Sequence, residues 1–235
     1  MTQEQIRNII MGVAAVALVV GGIFYYQRRQ TPTTNTITTP TPPPQVGEEP
    51  SPPSEGGVLA PSGGGGNAEE LKAQEAVKKA KWNTAMDNAR TAFGKGEYDK
   101  SIAFYNEALS YNKTDTVYSG LFVVYSAQNN IDQARIAIET AIKLNPLFTE
   151  YWKSKLAMLD EKTNVSYQDL KNIYTEGLLK VNPKTKIDLV TYFAGMAERN
   201  GEKSDAISLW EYAKNLYPAN TSIYQAEVDR LNKLQ

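Results

Sequence analysis

The chain has 235 residues and nearly balanced charge, 25 Lys and Arg against 26 Asp and Glu, with no cysteine and no histidine. Near-neutrality argues against nucleic acid as the main partner, because phosphate binding wants a basic face. The absent cysteines exclude disulfides and thiolate metal sites, and the absent histidines remove the commonest general base and metal ligand.

The first element is IIMGVAAVALVVGGIFYY, Ile9 to Tyr26, which has no charged or strongly polar side chain. A helix needs about 20 apolar residues to cross a bilayer, with about 17 as the lower limit. Tyr25 and Tyr26 stand where interfacial aromatics belong, and Arg7, Arg28 and Arg29 flank the run. The run ends in FYYQRR, which offers no small-residue cleavage site. Residues 1–30 are therefore expected to be an uncleaved, single-pass membrane anchor. Arginines at both ends leave orientation close to a tie, but no Lys or Arg occurs from Gln30 to Leu71. That stretch is easy to translocate, so the C-terminal part is expected outside the cytoplasm.

Residues 31–67 contain nine of the twelve prolines and the run Gly63–Gly66. Such a composition cannot bury enough apolar surface to offset ordering, and a disordered Thr/Pro/Gly-rich linker is expected. The glycine run lacks the preceding strand and following Lys-Ser/Thr of a phosphate-binding loop.

From Ala68 the sequence reads as helix, with Asn67 as N-cap and Glu69 and Glu70 in a favourable first turn. A pattern then recurs. Ser101, Tyr105, Ala108 and Lys113 are matched after 33 residues by Ala134, Ile138, Ala141 and Pro146. Ala206, Trp210, Ala213 and Pro218 repeat the spacing, and Leu170, Tyr174 and Gly177 keep it with Pro183 one residue late. The preceding halves align as well: Tyr118, Leu121 and Tyr125; Trp152, Leu156 and Leu159; Val190, Phe193 and Ala197. The turns GEYDKSI, NIDQARI and GEKSDAI, two of them opened by glycine, separate the halves.

A period of about 34 residues, with a helix–turn–helix in each unit, resembles the tetratricopeptide repeat family. The units are Trp82–Thr114, Asp115–Phe148, Thr149–Lys184 and Thr185–Pro218. The resemblance implies an all-α, right-handed solenoid of about four helix pairs over 68–235. A C-terminal helix with one face of Ile223, Tyr224, Val228 and Leu231 would cap it. Ala108, Ala141 and Ala213 are expected at close helix crossings, where no single unit buries its own apolar face. The third unit is expected to be the least regular. It has Lys155 at a usually apolar place, a turn lengthened by TNVS at Thr163–Ser166, and Gly177 within its second helix. Alanine at 177 should be tolerated unless that position is also tight. Trp82 is the candidate substitute for the early aromatic missing at Ala85.

The resemblance also implies a concave groove lined by the first helix of each unit, which holds a protein or peptide partner. The family's groove-facing offsets fall on Asn83, Met86, Asp87 and Arg90, then on Ser119, Val123 and Ser126. They continue with Lys153, Ala157 and Asp160, and with Thr191, Tyr192, Gly195 and Glu198. Tyr192 is expected to face outward and its neighbour Phe193 inward. Met86 and Val123 stand where some members carry a carboxylate-gripping clamp, so that clamp is absent. No catalytic motif, cofactor or metal site is expected. The implied function is a membrane-tethered adaptor or scaffold. The alternative is a structural spacer or accessory subunit of a larger envelope complex, using its convex face.

Overall fold

The computed structural model describes residues 66–233; the apolar run Ile9–Tyr26 and most of the linker lie outside the described residues. The chain divides into Met1–Ala76 and Val77–Gln235. Of the first unit, the described part is the solvent-exposed start of a long helix. Nine α-helices and two short 3-10 turns make up the described residues, with no strand among them. They are α1 (Gly66–Gly94), α2 (Tyr98–Tyr111), α3 (Asp115–Ala127), α4 (Ile131–Leu144), α5 (Thr149–Lys162), α6 (Tyr167–Lys180), α7 (Lys186–Arg199), α8 (Lys203–Leu216) and α9 (Thr221–Lys233). Helix α1 begins at Gly66, so Asn67 lies inside it rather than capping it.

From α2 to α9 each helix packs on its neighbour in sequence, and α5 also touches α7. This is the arrangement of helix pairs stacked in chain order, with one main core and a small second cluster of Ala197, Ala206 and Leu231 at the C-terminal end. Ala108, Ala141 and Ala213 are all fully buried, as the repeat register requires.

Three of the four intra-pair turns are built alike. Gly96, Asn129 and Gly201 have φ of 74°, 57° and 78°. Only glycine, or less often asparagine, adopts this left-handed conformation readily. In each turn the next residue's N–H reaches back five residues: Glu97 to the Ala92 carbonyl, Asn130 to Tyr125 and Glu202 to Ala197, all at 2.9 Å. The left-handed residue thus stops the first helix, satisfies its free carbonyls and aims the chain into the second. The third turn departs. Thr163 is extended, its N–H bonds the Leu159 carbonyl at 3.2 Å, and Ser166 caps α6 by accepting from the Asp169 N–H. The extra residues of TNVS replace the left-handed reversal with a longer connection.

Gly177 sits at a tight crossing. A Cβ built on it would lie 2.9 Å from the Trp152 indole carbons. Glycine takes the place of the usual alanine at this crossing because an indole fills the space. Lys155, the other oddity of the third unit, reaches back to Glu139 on α4 at 3.0 Å. An ion pair there takes the place of apolar packing. Helix α9 buries Tyr224, Val228 and Leu231, with Tyr224 stacked on Trp210. Ile223 is 59% exposed, because it lies one helical step off the 224/228/231 stripe.

Polar ties lock successive pairs together. Asp115 accepts from Asn145 Nδ2 at 2.9 Å and from the Tyr151 hydroxyl at 3.0 Å, joining α3 to the α4–α5 corner. Asp205 on α8 accepts from Lys171 Nζ at 2.6 Å and the Tyr167 hydroxyl at 3.0 Å, both on α6. The Lys171 bond is the main reason that the Asp205 carboxyl is held below its ordinary pKa. A lowered folded-state value means that the stabilisation is complete above the unfolded value of about 3.9 and is lost as pH falls through the lowered one. Both partners are partly exposed, so the pair is worth no more than about 1 kcal/mol. Asp205→Asn should lower the melting midpoint slightly at pH 7, and the difference from the parent should shrink as pH falls below the ordinary carboxylate range.

Candidate partner-binding groove

The first helices α1, α3, α5 and α7 carry the residues that the repeat offsets assign to the groove. The structure sorts them into three groups. Met86 and Ser119 are each only 1% exposed. Met86 is part of the core, and the Ser119 hydroxyl turns back to the Thr116 carbonyl at 3.0 Å. Neither offers surface to a partner. The offset counts helical positions, and at these two the close approach of the neighbouring helix covers the side chain. Val123 is half-buried against the core, and the Ser126 hydroxyl is buried with no partner.

A second group faces outward but at separate places. Asn83 and Asp87 are exposed, and Arg90 donates to Asp87 at 3.0 Å. The Thr191 hydroxyl is used by its own helix, bonding the Ile187 carbonyl at 3.0 Å. Glu198 is drawn to the C-terminal end. It accepts from Trp210 Nε1 at 3.0 Å and from Arg230 at 2.6 Å, and so fastens α8 and α9 to α7. Its role here is to hold the capping helix.

The third group comes together at the α5–α7 seam. Lys153 Nζ bonds Glu150 at 2.9 Å and stands 5.5 Å from the centre of the Tyr192 ring, a cation–π contact across the two helices. Phe193 is fully buried, while Tyr192 is only half-buried, so this adjacent pair divides between core and groove wall. Burial pushes the Tyr192 phenol up to about 12, helped by the charges of Glu161, Asp160 and Glu150 and opposed by Arg199. The phenol therefore stays neutral at physiological pH and keeps a proton to donate. Asp188 lies within reach of the same group. Burial raises its pKa, Lys153 lowers it and Glu150 raises it. Asp160 accepts from Asn200 at 3.0 Å and pairs with Arg199 at 3.6 Å. Beside them a Cβ on Gly195 would meet only the Arg199 guanidinium, at 3.7 Å, so the helix leaves open space there.

The repeat offsets place Lys153, Asp160, Tyr192 and Gly195 in one cluster. They miss Glu150, Asp188 and Arg199, which complete it. The i, i+3 spacing of Glu150 and Lys153 was a usable signal for the first. Nothing within either helix alone could have paired Asp188 with Lys153. The seam is a mixed-charge surface with an acidic excess and one aromatic wall.

No curated protein matches the sequence. Among solved structures, PilF of Pseudomonas aeruginosa aligns at 12% identity and a TM-score of 0.49, covering 66% of this chain and 68% of that one. A thermophilic tetratricopeptide-repeat protein of Thermus thermophilus aligns at 12% identity and a TM-score of 0.43, covering 72% of this chain and 95% of that one. The family model of the tetratricopeptide repeat matches residues 89–115 and 123–146, which run from the end of α1 to the end of α4.

Proposed function

We propose that this chain is a membrane-tethered adaptor whose repeat stack holds a protein partner at the α5–α7 seam. Repeats of this family mediate protein–protein contacts, and the cluster of Lys153, Tyr192, Glu150 and Asp188 supplies anchors for one. That juxtaposition is the observation on which the reading rests. Tyrosine is among the residue types that most often dominate interface energy, and polar, charged groups such as those around it are typical of an interface rim. The tether rests on the apolar run Ile9–Tyr26 and on the linker that follows, with the repeat stack outside the cytoplasm.

Full-length protein should sediment with membranes and resist carbonate extraction, and deletion of residues 1–29 should release it. A mature chain beginning near Thr31 would refute the tether. For the groove, Lys153→Ala with Asp188→Ala should weaken capture of the partner at least about tenfold, as expected for two central contacts. Asp188 is exposed and Lys153 half-buried at the seam's edge, so the melting midpoint should fall by no more than a few degrees. Undiminished capture by this variant would move the interface away from the seam. Loss of capture on changing Ile136 or Tyr212 instead, which are exposed on the second helices, would favour the spacer reading.

A further inference from the structure

The edge of the stack where second helices end and first helices begin carries a feature that the groove does not use. Leu144, Leu147 and Leu179 are 49%, 57% and 80% exposed. They belong to two neighbouring corners. The Asn182 N–H donates to the Leu147 carbonyl at 3.1 Å, and the Thr149 and Thr185 hydroxyls share a hydrogen bond of 2.6 Å. Lys143, Lys184 and Lys186 stand at the same two corners, and their ammonium groups have no partner among the described residues. The carboxylates nearby are already engaged: Asp115 by Asn145 and Tyr151, Glu150 by Lys153, and Glu176 by Lys180. Asp188 faces Lys153.

Exposed leucines bordered by free lysines match an anionic bilayer surface. The leucines enter the headgroup boundary and the lysines meet lipid phosphates. We infer that this corner edge, Leu144–Leu147 and Leu179 with Lys143, Lys184 and Lys186, docks the repeat stack onto the anionic surface of the membrane that tethers it. The inference rests on the tether reading. Three lysines make a weak site in solution, but a linker raises the effective concentration of the surface into the range where weak contacts fill.

The chain has no cysteine, so a single introduced thiol can carry an environment-sensitive fluorophore. Full-length Leu179→Cys, labelled and reconstituted into phosphatidylcholine vesicles with and without phosphatidylglycerol, should float with both kinds. Its emission should be blue-shifted only in the anionic ones, and the shift should be lost at high salt. Lys143→Glu with Lys184→Glu and Lys186→Glu should abolish the shift while leaving the melting curve unchanged. A probe at Gln133→Cys should not respond; it lies at the other end of α4, about 16 Å along the axis from Leu144. Flotation with both vesicles and the same emission in each overturns the docking and leaves the tether standing. Flotation with anionic vesicles alone refutes the tether, and with it docking onto a tethering membrane. No flotation refutes both. A shift in neutral vesicles that grows with protein density assigns the leucines to a second copy and overturns the inference.

Discussion

Replacing Trp152 with alanine should cost about 3–5 kcal/mol of unfolding free energy, the range for emptying a large buried site. Trp152 is 1% exposed, donates its indole N–H to the Pro146 carbonyl at 2.9 Å and lies under Lys180. The alanine variant forfeits that burial and leaves the space that Gly177 was shaped around. The same geometry fixes what Gly177→Ala should do. Alone, it forces a methyl group against an indole that cannot retreat, at a cost of about 1–3 kcal/mol. In the Trp152→Ala background the methyl group has room, and the better helix propensity of alanine should make the change stabilising by up to about 1 kcal/mol. Chemical denaturation of the four proteins in this cycle should show that reversal of sign. Equal effects of Gly177→Ala in both backgrounds would mean that the two residues do not meet.

Phe193→Ala should be of similar size, about 3–5 kcal/mol. The ring is fully buried between two tyrosines. Tyr174 is stacked at 4.3 Å between centroids with 4° between planes, and Tyr167 at 5.7 Å with 16°. The three rings bind α7 to α6, and burial raises the pKa of both phenols. Phe193→Leu keeps most of the apolar burial but loses both aromatic pairs, each worth about 1 kcal/mol beyond area. It should fall between parent and alanine variant in stability and lose near-ultraviolet circular dichroism. A leucine variant as stable as the parent would show that burial alone, without stacking, accounts for the contact.

Much of this fold could be read from spacing. Ala108, Ala141 and Ala213 are small because helices cross there, and a residue's size is written in the sequence. The left-handed turn residues Gly96 and Gly201 could also be read, since glycine signals that conformation. Asn129 was harder, because asparagine adopts it only when the turn requires it. What could not be read were consequences of two helices meeting. The packing of Gly177 on Trp152 depends on a contact 25 residues apart. Met86 and Ser119 have the right offsets for a groove and are nonetheless covered by a neighbouring helix. Glu198 is diverted to Trp210 and Arg230, pairings that exist only once α8 and α9 have docked. Of the candidate groove, the offsets implied by the family resemblance pointed to the carrying helices and to Lys153 and Tyr192. The partners that complete the seam, Asp188 and Arg199, emerged only when α5 and α7 were set side by side.

The central claim, that a protein partner occupies the α5–α7 seam, is tested most directly by photo-cross-linking. A photoreactive phenylalanine derivative at position 192, in the full chain in its own membrane, should give a discrete adduct with one other protein. Lys153→Ala with Asp188→Ala should abolish that adduct, and the same reagent at Ile136 should give none. Adducts from position 136 alone, or an adduct at 192 that persists in the double variant, would contradict it.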